Sequence, residues 1–95
     1  MVRLNDLHNH STFRGVYAKF SRVFIDSFCL YRRNTNVTRD AINFARKEVE
    51  KCFFKEIKSH RNNTKLVVIA YQKICNDSEL VEKAISYYKG MEQAK

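Results

Sequence analysis

The sequence predicts an all-α fold, a small antiparallel three-helix bundle. Proline is absent and glycine occurs only at Gly15 and Gly90, so the residues that make the tight turns of an all-β domain are missing. Apolar side chains recur at steps of three and four, the period of a helix with one buried face. The polar interruptions between those stretches are short, as in helices joined by brief loops.

In the first segment Phe13, Val16, Tyr17, Phe20, Phe24, Phe28 and Tyr31 make a continuous aromatic stripe. It predicts a helix over residues 12–33, ended by the poor helix formers Asn34 to Thr38. Thr38 suits the N-cap of a second helix, with Asp40 meeting the positive end of its dipole. In that helix Ala41, Ile42, Ala45, Val49, Cys52, Phe53 and Ile57 share a face, and it runs to about Ser59. Thr64 is placed to cap a third segment, in which Val67, Ala70, Tyr71, Ile74, Val81, Ala84, Ile85 and Tyr88 align. That segment is either one rod or a rod broken near Asn76, where Asn76 and Glu79 have capping-box spacing. Gly90 fits the left-handed position past a helix end. Residues 66–69 are rich enough in β-branched side chains to suggest a strand, but a lone strand has no partner for its backbone groups. The organisation expected is a polar leader or import segment (residues 1–11), a bundle (12–90) and a short tail (91–95).

Ninety-five residues suit one domain and exclude large barrels, doubly wound sheets and propellers. The longest uncharged apolar stretch, residues 66–71, is far shorter than the ~20 residues of a membrane-spanning helix. Cys29, Cys52 and Cys75 are unpaired in spacing and fall on apolar sides of their segments, as buried structural thiols do in a reducing compartment. The sequons at Asn9, Asn36, Asn62 and Asn76 follow no hydrophobic signal core and are read as chance.

Charge is the strongest pointer to a partner. The chain has 18 Lys and Arg against 10 Asp and Glu, for a net +8. Residues 1–38 carry six basic and two acidic groups, 39–65 eight and four, and 66–95 four and four. The excess therefore sits on the first two helices and their loops, and it calls for an acidic partner. Lys47, Lys51, Lys55 and Lys58 form one stripe on the second helix. Like charges four apart repel by ~0.2–0.5 kcal/mol per pair, which an acidic partner relieves; alternatively the stripe is a solvated face softened by Glu48, Glu50 and Glu56. A nucleic acid also fits the charge, although most of the twelve aromatics belong to the inward stripes rather than to a stacking surface. From residue 1 to 25 the only acid is Asp6, against Arg3, Arg14, Lys19 and Arg22. Scarce acid in an amphipathic segment is the pattern of an organellar import signal.

No glycine-rich phosphate loop and no nucleophile elbow is present, and the expectation is a protein that is not an enzyme. Asp6-Leu7-His8-Asn9-His10-Ser11-Thr12 resembles the first metal motif of the PHP phosphoesterase family, D-x-H-x-H-[ST]. Asp6, His8 and His10 are the residues that resemblance nominates as metal ligands. The family's further ligands have no counterpart here beyond His60, so no metal site is expected and the segment reads as a polar leader.

Leu30-Tyr31-Arg32, extended by Arg33, resembles the tripeptide of the LYR-motif (complex I LYR-like) family of small mitochondrial proteins. Phe44-Ala45-Arg46-Lys47 through Phe53-Phe54-Lys55 is similar to that family's downstream Arg/Phe-rich helix, and Glu79 to Gly90 to its final amphipathic segment. The family motif opens its first helix, whereas Leu30 lies near the end of this one. A second register sets Val16-Tyr17-Ala18, followed by Phe20 and Arg22, in the motif's place, and both registers stay open. The resemblance implies a non-enzymatic adaptor in the mitochondrial matrix or on the matrix side of the inner membrane. It implies binding to an acyl carrier protein, as accessory subunit or assembly factor of a respiratory-chain complex. It implies no cofactor of the chain's own, only the acyl-phosphopantetheine that the carrier brings. The residues it nominates for the partner are Tyr31, Arg32 and Arg33 with Arg46, Lys47 and Lys51. The reading from another class is a small basic RNA- or mitoribosome-associated helical protein.

Overall fold

Side chains three and four residues apart stack on one flank of a helix, and each of the three apolar stripes folds in that way. The structure, a computed structural model, describes residues 11–93, with side chains through Met91. Its elements are α1 (Ser11–Arg32), α2 (Thr38–Ser59), a 3₁₀ turn (Arg61–Asn63), α3 (Thr64–Cys75) and α4 (Ser78–Gln93). The fold is all-α, and no strand occurs among the described residues. Residues 66–69 are helical, as their lack of a pairing partner requires.

The core forms where large side chains meet small ones. Phe13, Val16, Phe20, Phe24 and Phe28 make a buried ridge along α1. Ala41, Ala45 and Val49 on α2 are buried opposite it, and such small residues let two helices approach closely. Phe20 is fully buried, and burial of one such ring stabilises by ~2–3 kcal/mol. Its edge meets Phe53 of α2 and Tyr71 of α3, at 6.5 and 6.2 Å between centroids, and Phe53 stacks on Tyr71 at 4.2 Å. Three elements thus close on one aromatic cluster.

Two contacts fix each relative direction. Tyr31 stacks on Phe44 at 4.7 Å while Phe20 meets Phe53, so α2 runs antiparallel to α1. Tyr17 bonds to Asp77 while Phe28 meets Tyr88 at 6.5 Å, so α4 runs parallel to α1. α3 packs on both α1 and α2, whereas α4 leans on α1 through Leu80 and Ala84, both buried.

Several local expectations are corrected. The third segment breaks, but its cap is Asp77 rather than Asn76: the Leu80 N–H donates to Asp77 Oδ1 at 3.1 Å. The Asn76 amide instead donates to the Gln72 carbonyl at 3.0 Å and closes the end of α3. Thr38 lies inside α2 and the cap position falls on Val37, without a side-chain bond. Thr35, ahead of Val37, takes a share of the capping chemistry, its Oγ1 accepting from the Val37 N–H at 3.1 Å. Thr64 likewise starts α3 rather than capping it, and its hydroxyl donates back to the Arg61 carbonyl at 3.1 Å.

Gly90 does not end a helix: no glycine has positive φ, and α4 continues to Gln93, keeping Met91 half-buried against the core. Residues 91–93, assigned to the tail, are therefore helical, as is Ser11, assigned to the leader. Cys29 is buried and Cys52 half-buried, but Cys75 is exposed, because α3 ends there and turns its last residue outward. Residues 1–10 lie outside the described residues.

Candidate functional site

Lysines at 47, 51, 55 and 58 are separated by four, four and three residues, which sets them on one flank of α2. All four are exposed. Lys51 Nζ reaches Glu48 Oε1 at 3.4 Å. Of the three acids expected to soften the stripe, Glu56 does not lie on the surface at all: it is buried. Its Oε1 accepts from Lys19 of α1 and its Oε2 lies 3.0 Å from His60 Nε2. This pairing holds the Lys19 ammonium above its ordinary pKa, first through the hydrogen bond and then through the charge of Glu56. No buried side-chain polar atom lacks a partner among the described residues, so the Glu56 cluster is satisfied as it stands.

Beside the stripe, α1 and α2 leave a groove of about 500 Å³ lined by Val23 and Cys52, by Lys19, Lys51 and Lys55, and by Glu48 and Glu56, which pair with Lys51 and Lys19. Burial raises the Cys52 thiol pKa against the opposing pull of Lys19 and Lys55, and burial raises that of Cys29 too. Thiols held protonated are poor nucleophiles. The groove is an apolar slot with charges of both signs on its rim.

The six residues nominated for the partner are distributed over four places. Lys47 and Lys51 stand together in the stripe. Arg46 is turned ~100° from Lys47 and ~140° from Lys51 around α2, at ~100° per residue, and does not join them. Tyr31 is engaged with Phe44. The Arg32 guanidinium lies 5.2 Å from the Tyr88 ring centroid and donates to the Thr35 carbonyl at 2.7 Å. Tyr31 and Arg32 thereby fasten the end of α1 to its surroundings. Arg33 is exposed beside Asp26 and Leu30, near the end of α4. In the second register Val16 is buried, and the Tyr17 hydroxyl donates to Asp77 Oδ2 at 2.8 Å. Sequence reasoning left Lys55 and Lys58 out of the site, although their spacing from Lys51 carries the signal. Lys19 and Val23 of the groove had no signal, because they reach it from another helix.

Among the described residues no group of three or more His, Cys, Asp or Glu is placed to hold a metal ion. Asp6, His8 and His10 lie outside those residues. No described helix is long and apolar enough to cross a membrane. No family model, curated protein or solved structure matches the chain.

Proposed function

We propose that the chain is a non-enzymatic adaptor whose α2 lysine flank grips an acidic helical partner. Its scaffold is the all-α bundle of α1 to α4. The observation that carries this reading is the row of four exposed lysines beside an apolar groove whose rim holds three lysines and two glutamates. An acidic helix laid along it relieves the repulsion within the row and gains charge-assisted hydrogen bonds. The apolar floor rewards an aliphatic group at ~0.8 kcal/mol per buried CH₂. An acylated carrier protein, the partner implied by the LYR resemblance, has both chemistries. The same resemblance supports a mitochondrial matrix setting and a role as accessory subunit or assembly factor of a respiratory-chain complex.

The experiment is calorimetric titration of the chain with an acidic acyl carrier protein in its acylated form. Binding is expected, weakened ~tenfold or more by Lys47→Glu with Lys51→Glu, as for removal of charged anchors. Absence of binding overturns the adaptor reading. One observation favours the RNA alternative: Phe54 is 56% exposed and lies three residues from Lys51 and four from Lys58, on their flank. A ring among cations suits a nucleotide base and its phosphates. Salt-sensitive RNA binding lost in Phe54→Ala, without carrier binding, selects that alternative.

A further inference from the structure

On α1 and α4 a second surface has a different character. A groove of about 780 Å³ runs between Ile25 of α1 and Tyr87 of α4, with Glu79, Glu82 and Lys83 along it. It adjoins a hollow of about 230 Å³ lined by Leu30, Arg33 and Met91 and sharing Tyr87. Leu30 and Tyr87 are 59% and 57% exposed, two of the four large hydrophobics that stand out from the described surface. Apolar side chains exposed in company, rather than singly, mark interaction surfaces.

The charges around this patch indicate what covers it. Asp26, Glu79 and Glu82 oppose Lys83 and Arg33, a near balance on a chain of net +8. It is therefore a place where two copies of the chain meet with little repulsion. The charges are also polarised. α1 and α4 are parallel, with Ile25 beside Tyr87; Arg33 lies eight residues after Ile25, and Glu79 eight residues before Tyr87. At 1.5 Å per residue these ends stand ~12 Å to either side of the centre. A two-fold axis through Tyr87 consequently brings the acidic end of one copy against Arg33 of the other.

We propose that this surface is a self-complementary interface through which the chain forms a two-fold dimer. Tyr87 and Leu30 pack around the axis, and Glu79 pairs with Arg33 across it at both ends, as an isologous contact requires. The lysine stripe of α2 takes no part, so the proposal stands apart from the adaptor reading.

Sedimentation velocity of the full chain under reducing conditions, which remove any disulfide through exposed Cys75, tests it. A concentration-dependent dimer is expected. Tyr87→Glu is expected to weaken self-association ~tenfold or more, as loss of a central aromatic anchor does, with the helical circular dichroism unchanged. Arg33→Glu weakens it as well, and Arg33→Glu combined with Glu79→Arg restores it. A chain that stays monomeric at all concentrations overturns the proposal, as does capture of a cationic peptide at this patch by a monomer. A dimer that the paired exchange fails to restore overturns the two-fold arrangement. Lys47→Glu with Lys51→Glu leaves the dimer intact, so carrier binding and dimerisation fail separately.

Discussion

Asp77 joins two tasks in one side chain. Its Oδ1 caps α4 and its Oδ2 receives the Tyr17 hydroxyl, so the start of α4 is fastened to α1 by the group that starts it. Burial raises the pKa of this carboxyl, but the bonds from Tyr17, Leu80 and Glu79 outweigh it and hold the group below its ordinary value. The contribution to stability is therefore present above the unfolded value of ~3.9 and is lost as pH falls through the lower folded value. Asp77→Ala is expected to cost ~1–2 kcal/mol at neutral pH, the range for a lost cap. In urea denaturation at descending pH, the advantage of the wild type over this variant is expected to shrink below pH ~4. At the alkaline end, burial and the bond to Asp77 push Tyr17 up to about 12, and burial with a bond to Cys75 does the same for Tyr71. A phenol raised in the folded state gives stability that is intact below pH ~10 and lost above it. Spectrophotometric titration is expected to find at least two late tyrosines that ionise together with unfolding. None of this was legible in the sequence. Asn76, Asp77 and Ser78 are all capping residues, and only Tyr17, sixty positions away, selects among them.

The helices were easier to read than their ends. The α1 stripe from Phe13 to Phe28 is buried almost as spaced, because a ridge of that length has only one way to leave water. Leu66 joins the core one helical turn before Ala70, and Leu80 one turn before Ala84, two positions that a single phase carried through Asn76 leaves out. Phe20→Ala removes the centre of the aromatic cluster, and a loss of ~3–5 kcal/mol is expected in chemical denaturation, much of the ~5–15 kcal/mol a small domain has. Gly15 sits in α1 with an open space where a Cβ would stand. Gly15→Ala is expected to stabilise by ~0.5–1 kcal/mol, read as a higher Tm. Gly90→Ala has the same open space and should gain less, because it lies in the last turns of α4. The substitution also checks that the helix continues through this position, since a glycine with positive φ would lose stability instead.

Across the whole molecule, the lysine row and the near-neutral patch lie on different helices. The lysine flank belongs to α2, and the near-neutral apolar patch to α1 and α4. Composition made the positive excess and its uneven distribution legible, and residue spacing made the lysine row legible. The groove was not, since Val23 and Lys19 meet Cys52 and Lys55 only through the pairing of two helices. The like charges of the row have a cost in the free chain, and it is measurable. Lys55→Glu turns the repulsion from Lys51 and Lys58 into attraction, at ~0.2–0.5 kcal/mol per pair. It is expected to raise the stability of the isolated chain by ~0.5–1 kcal/mol at low salt while weakening capture of an acidic partner. Stability measured beside binding at several ionic strengths checks both signs.

The one-sided seating of α4 has an effect in time as well as in space. A helix held through two buried side chains, half-buried ones such as Tyr88 and Met91, and an acid-sensitive tie opens more readily than the aromatic cluster beneath it. Amide hydrogens of α4 are therefore expected to exchange with deuterium first, and those around Phe20 and Val67 last.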